Sequence, residues 1–302
     1  MTIEKRKLGL SGIDVAPLCL GGNVFGWTAD EKTSFALLDA FVAAGFGFID
    51  TADVYSSWMP GHEGGESETM IGNWLAARGG RQRVVIATKV GMLAKFSGLK
   101  AANIIAACDA SLKRLRTDYI DLYQSHQDDP ETPQDETLEA FGKLVSAGKV
   151  RAIGASNFDV ARLEAAERIA QEGGFPRYNT LQPLYNLVDR DFEKTLQPLC
   201  VEEEIGVIPY YSLAAGFLTG KYTTSNPFPK TDVRSTFDEE RFRQWLVELE
   251  EIRKNELPAG VPMAQWALAW CLRNPLVSCA IPGCKNLAQL EINASAAKLI
   301  GQ

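Results

Sequence analysis

FGFIDTADVY, residues 46–55, changes from apolar to polar halfway along its length, and the rest of the chain can be interpreted around that change. Its first half, with Phe48 and Ile49, is typical of a strand buried on both faces. Its second half brings Asp50 and Tyr55 to the carboxyl end of that strand, where α/β proteins place their sites. These ten residues alone are equally compatible with a purely structural role, in which Asp50 caps a helix and Tyr55 packs in the core.

The composition describes an ordinary globular protein. The chain has 302 residues, of which 46% are hydrophobic and 23% charged, enough for one barrel-sized domain or two smaller ones. The net charge of -7 and the lack of a basic run argue against nucleic-acid and membrane partners and favour small molecules. Six scattered cysteines and a charged start without an apolar leader predict a cytoplasmic protein. The sequence indicates no oligomeric state.

From residue 18 onward, short apolar runs alternate with amphipathic segments. The runs predict eight strands, at 18–21, 46–50, 84–89, 119–126, 150–156, 180–184, 207–212 and 279–282. The segments between them predict helices, at 31–44, 66–78, 101–115, 134–147, 160–171, 191–204, 239–253 and 262–272.

This alternation, with no linker dividing it, favours an α/β fold, a (β/α)8 TIM barrel that forms a single domain over residues 1–302. Residues 5–17 predict an N-terminal β-hairpin that covers one end of the barrel, and 286–300 an extra C-terminal helix. The alternative is a doubly wound sheet with a glycine fingerprint after its first strand. The sequence GGNVFG at 21–26 contains no GxGxxG, which argues against that alternative.

The barrel prediction brings four side chains to one end: Asp50, Tyr55, Lys89 and His126. A buried Lys89 is costly without a partner, which Asp50 on the neighbouring strand can be. Beside an ammonium, Tyr55 is expected to give up its proton more easily, and a neutral His126 can donate a hydrogen bond to a carbonyl oxygen. Each residue alone is more typical of a structural role, but the four together predict carbonyl reduction.

Two other kinds of barrel enzyme fit the sequence less well. A metal-dependent hydrolase needs several histidine ligands, and the chain has only His126 and the loop residue His62, so no metal site is predicted. A retaining glycosidase needs paired carboxylates about 5 Å apart, but the seventh predicted strand ends in IPYYS.

Seven motifs, in order and covering nearly the whole chain, resemble those of the aldo-keto reductases, in particular the bacterial branch related to the potassium-channel β subunits. They are DTADVY, ATKVG, LYQSHQDD, IGASNF, LQPLYN, IPYYSLAAGFLTGKY and IPGCKNLAQLEIN. The resemblance implies a (β/α)8 barrel, a nicotinamide cofactor across its top and hydride transfer to or from a carbonyl carbon. It also implies that Tyr55 is the general acid, that Asp50 and Lys89 tune it, and that His126 orients the substrate.

The resemblance also implies cofactor-binding residues. The positions that hold the nicotinamide carboxamide correspond to Ser156, Asn157 and Gln182, and the aromatic that stacks on its ring corresponds to Tyr210. The pyrophosphate loop corresponds to Ser212, Leu213, Gly216, Leu218 and Lys221, and the adenosine end to Gly283, Lys285, Gln289 and Asn293. Lys285 at the start of the last helix favours the 2′-phosphate of NADP, so NADP is the expected cofactor. Lysine in place of the arginine of the family pattern weakens this expectation, so NAD stays open. The alternative for Lys285 is a solvated residue at a helix start.

The substrate is less well defined. Apolar side chains after the first two strands are expected to line the pocket: Val24, Phe25, Trp27, Trp58 and Met59. Asp128 and Asp129 could hydrogen-bond a polyol, so carbonyl compounds and polyols both stay open. The alternative function is a cofactor-binding, redox-sensing subunit for a protein partner. Only a few residues precede the hairpin, which favours an NADP-dependent reductase of the alcohol dehydrogenase type.

Overall fold

A computed structural model describes residues 3–223 and 239–300 of the chain. Strands and helices alternate through most of this part, as predicted for an α/β protein. Within these two ranges, no helix combines the length and the apolar character needed to cross a membrane.

The predicted N-terminal hairpin is confirmed. Strands β1 (Arg6–Lys7) and β2 (Asp14–Val15) pair antiparallel. Side chains around its turn, among them Leu8 and Ile13, are buried in one apolar cluster with the first inward-facing residues of the barrel strands. The hairpin therefore closes the end of the barrel at which the strands begin.

The barrel itself consists of parallel strands that follow one another in chain order. These are β3 (Cys19–Gly21), β4 (Phe48–Asp50), β5 (Val85–Val90), β6 (Ile120–Ser125), β7 (Val150–Ser156), β8 (Tyr178–Gln182) and β9 (Gly206–Val207). In place of a continuous eighth strand, isolated parallel bridges close the sheet: Val277 pairs with Val207, and Ala280 pairs with Leu18. The predicted (β/α)8 barrel is confirmed, with its eighth strand reduced to these bridges.

Helices surround the barrel. They are α1 (Glu31–Ala43), α2 (Glu66–Arg78), α3 (Ala101–Leu115), α4 (Gln134–Ser146), α5 (Val160–Gly173), α6 (Asp191–Lys194), α7 (Gln197–Glu202), α8 (Glu239–Asn255), α9 (Met263–Arg273) and α10 (Leu287–Ser295). The extra C-terminal helix is confirmed as α10, which continues in a 3₁₀ turn. The single helix predicted at 191–204 is wrong: it is split into α6 and α7, because Pro198 in the first turn of α7 cannot donate the hydrogen bond that would continue α6.

Inside the barrel, inward-facing residues change from apolar to polar along each strand. Residues on one face of a strand are two apart. On β4, Phe48 is followed by Asp50, and on β5, Ala87 is followed by Lys89. The apolar members belong to the inner cluster, which comprises Leu8, Ile13, Val15, Cys19, Phe48, Ala87, Leu122, Ala152, Ile208, Cys279 and Ile281. The polar members lie above this cluster, at the carboxyl ends of the strands.

The contact between α2 and α3 depends on Gly72. A methyl group at this position would overlap the backbone carbonyl oxygen of Arg114, in the last turn of the facing helix α3. Because backbone is contacted, no side-chain rotation can relieve the overlap.

We expect Gly72→Ala to lower the free energy of unfolding by about 1–3 kcal/mol through overpacking, although alanine favours a helix by about 1 kcal/mol over glycine. Urea denaturation measures the change. The matched control is Gly142→Ala in α4, where the new methyl would meet only the side chain of Pro176, with Cδ nearest at 3.2 Å. Equal effects of the two substitutions would contradict the proposed close approach of the helices.

Candidate active site

A buried ammonium lies at the centre of the polar layer. Lys89 Nζ, at the end of β5, donates hydrogen bonds to Asp50 Oδ2 at 2.6 Å, to Tyr55 Oη at 2.8 Å and to the carbonyl oxygen of Thr51 at 2.9 Å. Lys89 is 0% exposed and Asp50 1% exposed. Three acceptors match the three N–H donors of the ammonium, which offsets the cost of burying it.

Tyr55 also donates a hydrogen bond to Asp50 Oδ2, at 3.3 Å. Burial, followed by the charge of Asp50 and this hydrogen bond, holds the pKa of Tyr55 well above its usual value. The expectation that the neighbouring ammonium makes this phenol more acidic is therefore wrong for this structure. Tyr55 is a neutral phenol at neutral pH, which is the form that can donate a proton.

His126 completes the predicted group of four. It directly follows β6, and its backbone N–H donates to the Val90 carbonyl oxygen at 2.9 Å. Its ring lies edge-on to Tyr55, with 6.0 Å between the ring centroids. Burial, and then the charge of Lys89, lowers the pKa of His126 well below its usual value. The imidazole is neutral at neutral pH and keeps one N–H to donate.

The second oxygen of Asp50 contacts two amides. Gln182 Nε2 donates to Asp50 Oδ1 at 2.9 Å, and Gln124 Nε2 donates to the same oxygen at 3.3 Å. Gln124 is absent from the residues predicted from the sequence. The sequence does indicate that Gln124 faces inward, because it follows Leu122 by two residues on β6.

The predicted carboxamide-binding residues are joined to one another and to His126. Ser156 Oγ donates to the carbonyl oxygen of Gln182 at 2.9 Å, and Asn157 Nδ2 donates to the carbonyl oxygen of His126 at 2.9 Å. Tyr210 Oη donates to Asn157 Oδ1 at 3.0 Å. An amide donor, an amide acceptor and a half-buried aromatic ring thus lie side by side, which fits the polar edge and the flat face of a nicotinamide.

The predicted pyrophosphate loop presents mainly backbone. The chain is kinked there, with positive φ angles at Ala215 and Gly216. Leu218 is fully buried, Leu213 is nearly so, and Ser212 Oγ is used within the protein between Pro209 O and the backbone N–H of Ile281. Of the five residues predicted here, Lys221 alone has an exposed side chain, while Gly216 is half-buried.

The predicted adenosine end is the start of α10. Asn286 caps the helix by accepting from the backbone N–H of Gln289 at 2.9 Å, and Gln289 Oε1 accepts from the backbone N–H of Lys285 at 2.8 Å. Lys285 and Gly283 are exposed, whereas Asn293 is 5% exposed. A cationic side chain therefore stands beside a helix N-terminus, an arrangement that favours an anion.

The predicted pocket residues divide into two groups. Trp27 and Trp58 lie edge-on to each other at 5.9 Å, and Trp58 lies edge-on to Tyr55 at 6.1 Å, with Met59 half-buried beside them in sequence. Trp58 is 50% exposed. Val24 and Phe25 are instead buried in the apolar core. The prediction that these two line the pocket mouth is wrong, because the 3₁₀ turn Gly22–Val24 directs them inward.

The two aspartates of the loop after β6 are not available to a polyol. Asp128 accepts two hydrogen bonds from the Arg162 guanidinium, at 2.8 and 2.9 Å. Asp129 accepts from the backbone N–H of Leu99 at 2.8 Å and from Thr132 Oγ1 at 2.6 Å. Both carboxylates hold the loop in place, so the expectation that they bind hydroxyl groups of a substrate loses its support.

Asp53 was not predicted to be special, yet it is the unusual acid of this region. It is 0% exposed, and within the described ranges neither carboxylate oxygen has a hydrogen-bond partner. Burial and then the charge of Glu68 raise the pKa of Asp53 to about 8, against smaller opposing effects of Arg114 and Lys89. Asp53 therefore carries its proton at neutral pH, while Asp50, three residues earlier, contacts the buried ammonium.

Comparison with known proteins gives a consistent result. The model of the Aldo/keto reductase family matches residues 17–300. The aldo-keto reductase YhdN of Bacillus subtilis (strain 168) is 35% identical over 96% of this chain and 84% of its own. The uncharacterized oxidoreductase YrpG of the same organism is 37% identical over 98% and 92%. A putative voltage-gated potassium channel subunit beta of Schizosaccharomyces pombe is 33% identical over 98% and 88%. The resemblance stated from the motifs is confirmed.

The buried Asp53 predicts a pH-dependent stability. Its pKa is about 3.9 in an unfolded chain and about 8 in the folded one. As the pH rises between these values, the unfolded chain releases the proton first, so the folded state loses stability by about 1.4 kcal/mol per pH unit. We expect Asp53→Asn to match the wild type near pH 4 and to exceed it increasingly toward pH 8, in urea denaturation at several pH values.

Asp39→Asn is the control for this experiment. Its hydrogen bond to Arg78 lowers the pKa of the Asp39 carboxyl, so the contribution of that carboxylate is present above the unfolded pKa and lost in acid. The Asn variant should therefore gain nothing as the pH rises. A constant difference between Asp53→Asn and the wild type across the range would contradict a neutral, buried Asp53.

Proposed function

The chain belongs to the aldo/keto reductase family, and on that basis we propose that it is an NADPH-dependent reductase of aldehydes and ketones that also oxidises the corresponding alcohols. Family membership gives the coarser statement, that the protein is an oxidoreductase of the kind that reduces carbonyl groups with a nicotinamide coenzyme. The observation that carries the proposal is the buried Lys89 ammonium, which contacts both Asp50 and Tyr55.

In this proposal, Tyr55 donates its proton to the carbonyl oxygen of the substrate. The bound coenzyme supplies the hydride to the carbonyl carbon. As negative charge develops on the oxygen, the neutral phenol transfers its proton, and the phenolate left behind is stabilised by the Lys89 ammonium at 2.8 Å. The neutral imidazole of His126 donates a hydrogen bond that orients the carbonyl, and Asp50 holds the ammonium in place.

The proposed coenzyme site uses the residues that line the rim from β7 to α10. Ser156, Asn157 and Gln182 would hold the carboxamide, and Tyr210 would lie against the nicotinamide ring. Gly216 and the backbone around it would approach the pyrophosphate, with Ser212, Leu213, Leu218 and Lys221 beside it. The adenosine end would meet Gly283, Lys285, Gln289 and Asn293. Support comes from the hydrogen bonds that join Ser156 to Gln182, Asn157 to Ser156, and Tyr210 to Asn157.

For the substrate, we propose an apolar or aromatic carbonyl compound. Trp27 and Trp58 present their rings beside Tyr55, and the indole N–H of Trp27 is occupied by the Asn23 carbonyl oxygen at 2.6 Å. Asp128 and Asp129 are occupied as well. The wall near the phenol therefore offers apolar surface and few free polar groups, which disfavours a sugar or another polyol.

We propose that the chain works as one domain over residues 1–302 in a reducing compartment, the cytoplasm. All six cysteines are unpaired and buried. Thiols kept in this state are typical of proteins from reducing compartments.

A second candidate is a redox-sensing subunit, because the chain is 33% identical to a putative channel subunit beta. A sensor is expected to oxidise its bound coenzyme once and slowly. Steady-state turnover of an aldehyde with NADPH separates the two functions, since repeated turnover supports the enzyme and a single slow oxidation supports the sensor.

We expect Tyr55→Phe to lower kcat for reduction of an aromatic aldehyde by roughly 10²- to 10⁴-fold, because a positioned general acid contributes about this much. The dissociation constant of NADPH, measured by quenching of tryptophan fluorescence, should stay within about twofold. Tyr119→Phe, at the opposite end of the barrel, is the control and should keep wild-type turnover. A loss below tenfold in Tyr55→Phe would sink the assigned role.

The start of α10 predicts coenzyme preference. A 2′-phosphate is the anion that Lys285 and the free N–H groups of the helix favour. We expect NADPH to bind more tightly than NADH, and Lys285→Ala to remove most of the difference by weakening NADPH alone. Lys298→Ala, which lies in the 3₁₀ turn after the same helix, is the charge-matched control. Equal affinities in the wild type, or a preference that survives Lys285→Ala, would contradict the assignment.

A further inference from the structure

Asp50 divides its two oxygens between two kinds of donor. Oδ2 accepts from the Lys89 ammonium and from Tyr55, which belong to the proposed chemistry. Oδ1 accepts from Gln182 at 2.9 Å and from Gln124 at 3.3 Å. Gln182 Nε2 also lies 3.4 Å from Gln124 Oε1, so the two glutamines form a connected pair beneath the carboxylate.

The chemistry of the carboxylate fixes the orientation of both amides. An ionised carboxylate accepts hydrogen bonds and cannot donate them. Gln124 and Gln182 must therefore both turn their NH₂ groups toward Asp50 Oδ1. The carbonyl oxygen of Gln124 is then left to face Gln182, which is the arrangement observed.

The barrel makes room for Gln124 at a position that would ordinarily be apolar. Gln124 is 0% exposed and lies directly opposite Lys89 in the register of β5 and β6. On its other side it pairs with Gly154 of β7, where a methyl group would lie 3.2 Å from Gln124 Cγ and would overlap Thr180 Oγ1. A buried amide is costly unless it is hydrogen-bonded, and the bonds that Gln124 makes are to Asp50 and Gln182.

We propose that Gln124 is a positioning residue for the reduction. Its amide group shares the negative charge of Asp50 and so keeps the Lys89 ammonium available to Tyr55. The inference rests on the proposed function. Charge-assisted hydrogen bonds take up part of the charge of a carboxylate. The charge of Asp50 and its hydrogen bond already hold the pKa of Tyr55 above its usual value. Removing one amide donor leaves more of that charge uncompensated and raises the pKa of Tyr55 further.

Gln124 can be tested separately from coenzyme binding. Gln182 is itself one of the proposed carboxamide residues, so its replacement would alter coenzyme affinity as well. Gln124 lies below it and is fully buried. A change at this position should therefore appear in kcat and its pH dependence, and the dissociation constant of NADPH should not change.

The experiment uses Gln124→Met, which keeps the length of the side chain and removes its donor. We expect kcat for aldehyde reduction at neutral pH to fall about tenfold. In the profile of kcat against pH for alcohol oxidation, the ascending limb should shift to higher pH by about one unit, the equivalent of a tenfold change. NADPH affinity should stay within about twofold. If Gln124→Met does not fold, Gln124→Asn, which keeps an amide but withdraws it from Asp50, should move the same limb in the same direction.

Thr180→Val is the matched control, because its hydroxyl lies against the same glycine within the barrel. It should leave kcat and the pH profile unchanged. Equal shifts in Gln124→Met and Thr180→Val would overturn the inference, since general repacking would then explain both. Unchanged kcat and an unchanged profile in Gln124→Met would overturn it as well.

A second measurement does not depend on turnover. Gln124→Met should lower the midpoint of urea denaturation more in the wild type than in the neutral background Asp50→Asn/Lys89→Met, because there the amide has no charge to share. Equal losses in both backgrounds would overturn the inference. If the wild type reduces no aldehyde or ketone, the proposed function is contradicted. The comparison of Gln124→Met in the two backgrounds still tests the role of Gln124, because it does not depend on turnover.

Discussion

One buried positive charge constrains the rest of the site. An ammonium taken out of water costs several kcal/mol unless charges and hydrogen bonds offset that cost. Lys89 finds all three of its acceptors in one short segment, at Asp50, Thr51 and Tyr55. This explains why FGFIDTADVY changes character so abruptly. The strand ends at Asp50. The carbonyl oxygen of Thr51 and the phenol of Tyr55 can then reach the same Lys89 nitrogen.

Two aspartates three residues apart show how far environment controls ionisation. Asp50 has donors on both oxygens, from an ammonium, a phenol and two amides. Asp53 is equally buried but has no partner within the described ranges, and its pKa rises to about 8. Two aspartates only three residues apart thus differ: Asp50 is ion-paired with Lys89, and Asp53 keeps its proton at neutral pH. Side chains from other strands and helices determine this difference.

The sequence predicted what depends on spacing along the chain. Alternation of apolar and amphipathic segments is a local property, so the barrel, the hairpin and the positions of Lys89 and His126 at strand ends follow from it. The break between α6 and α7 is also a local property, because Pro198 cannot continue a helix. The raised pKa of Tyr55 was not predictable, because burial and the nearby Asp50 carboxylate both raise it, and only the fold determines how buried the phenol is and how close the carboxylate lies. The hydrogen bonds of Asp128 were not predictable either, because the Arg162 side chain that binds its carboxylate comes from helix α5.

The hairpin at the starting end of the barrel has a consequence for the supply of protons. Leu8 and Ile13 close that end, and the inner cluster above them consists of apolar side chains, such as Phe48 and Leu122, and of two buried thiols, Cys19 and Cys279. In the proposed reduction, this largely apolar layer disfavours the return of a proton to Tyr55 from the hairpin side. We therefore expect Tyr55 to take up its proton from solvent at the carboxyl end of the strands, where Trp58 is 50% exposed. In that proposal, the hairpin that completes the core makes one opening serve both the substrate and the proton that the reduction consumes.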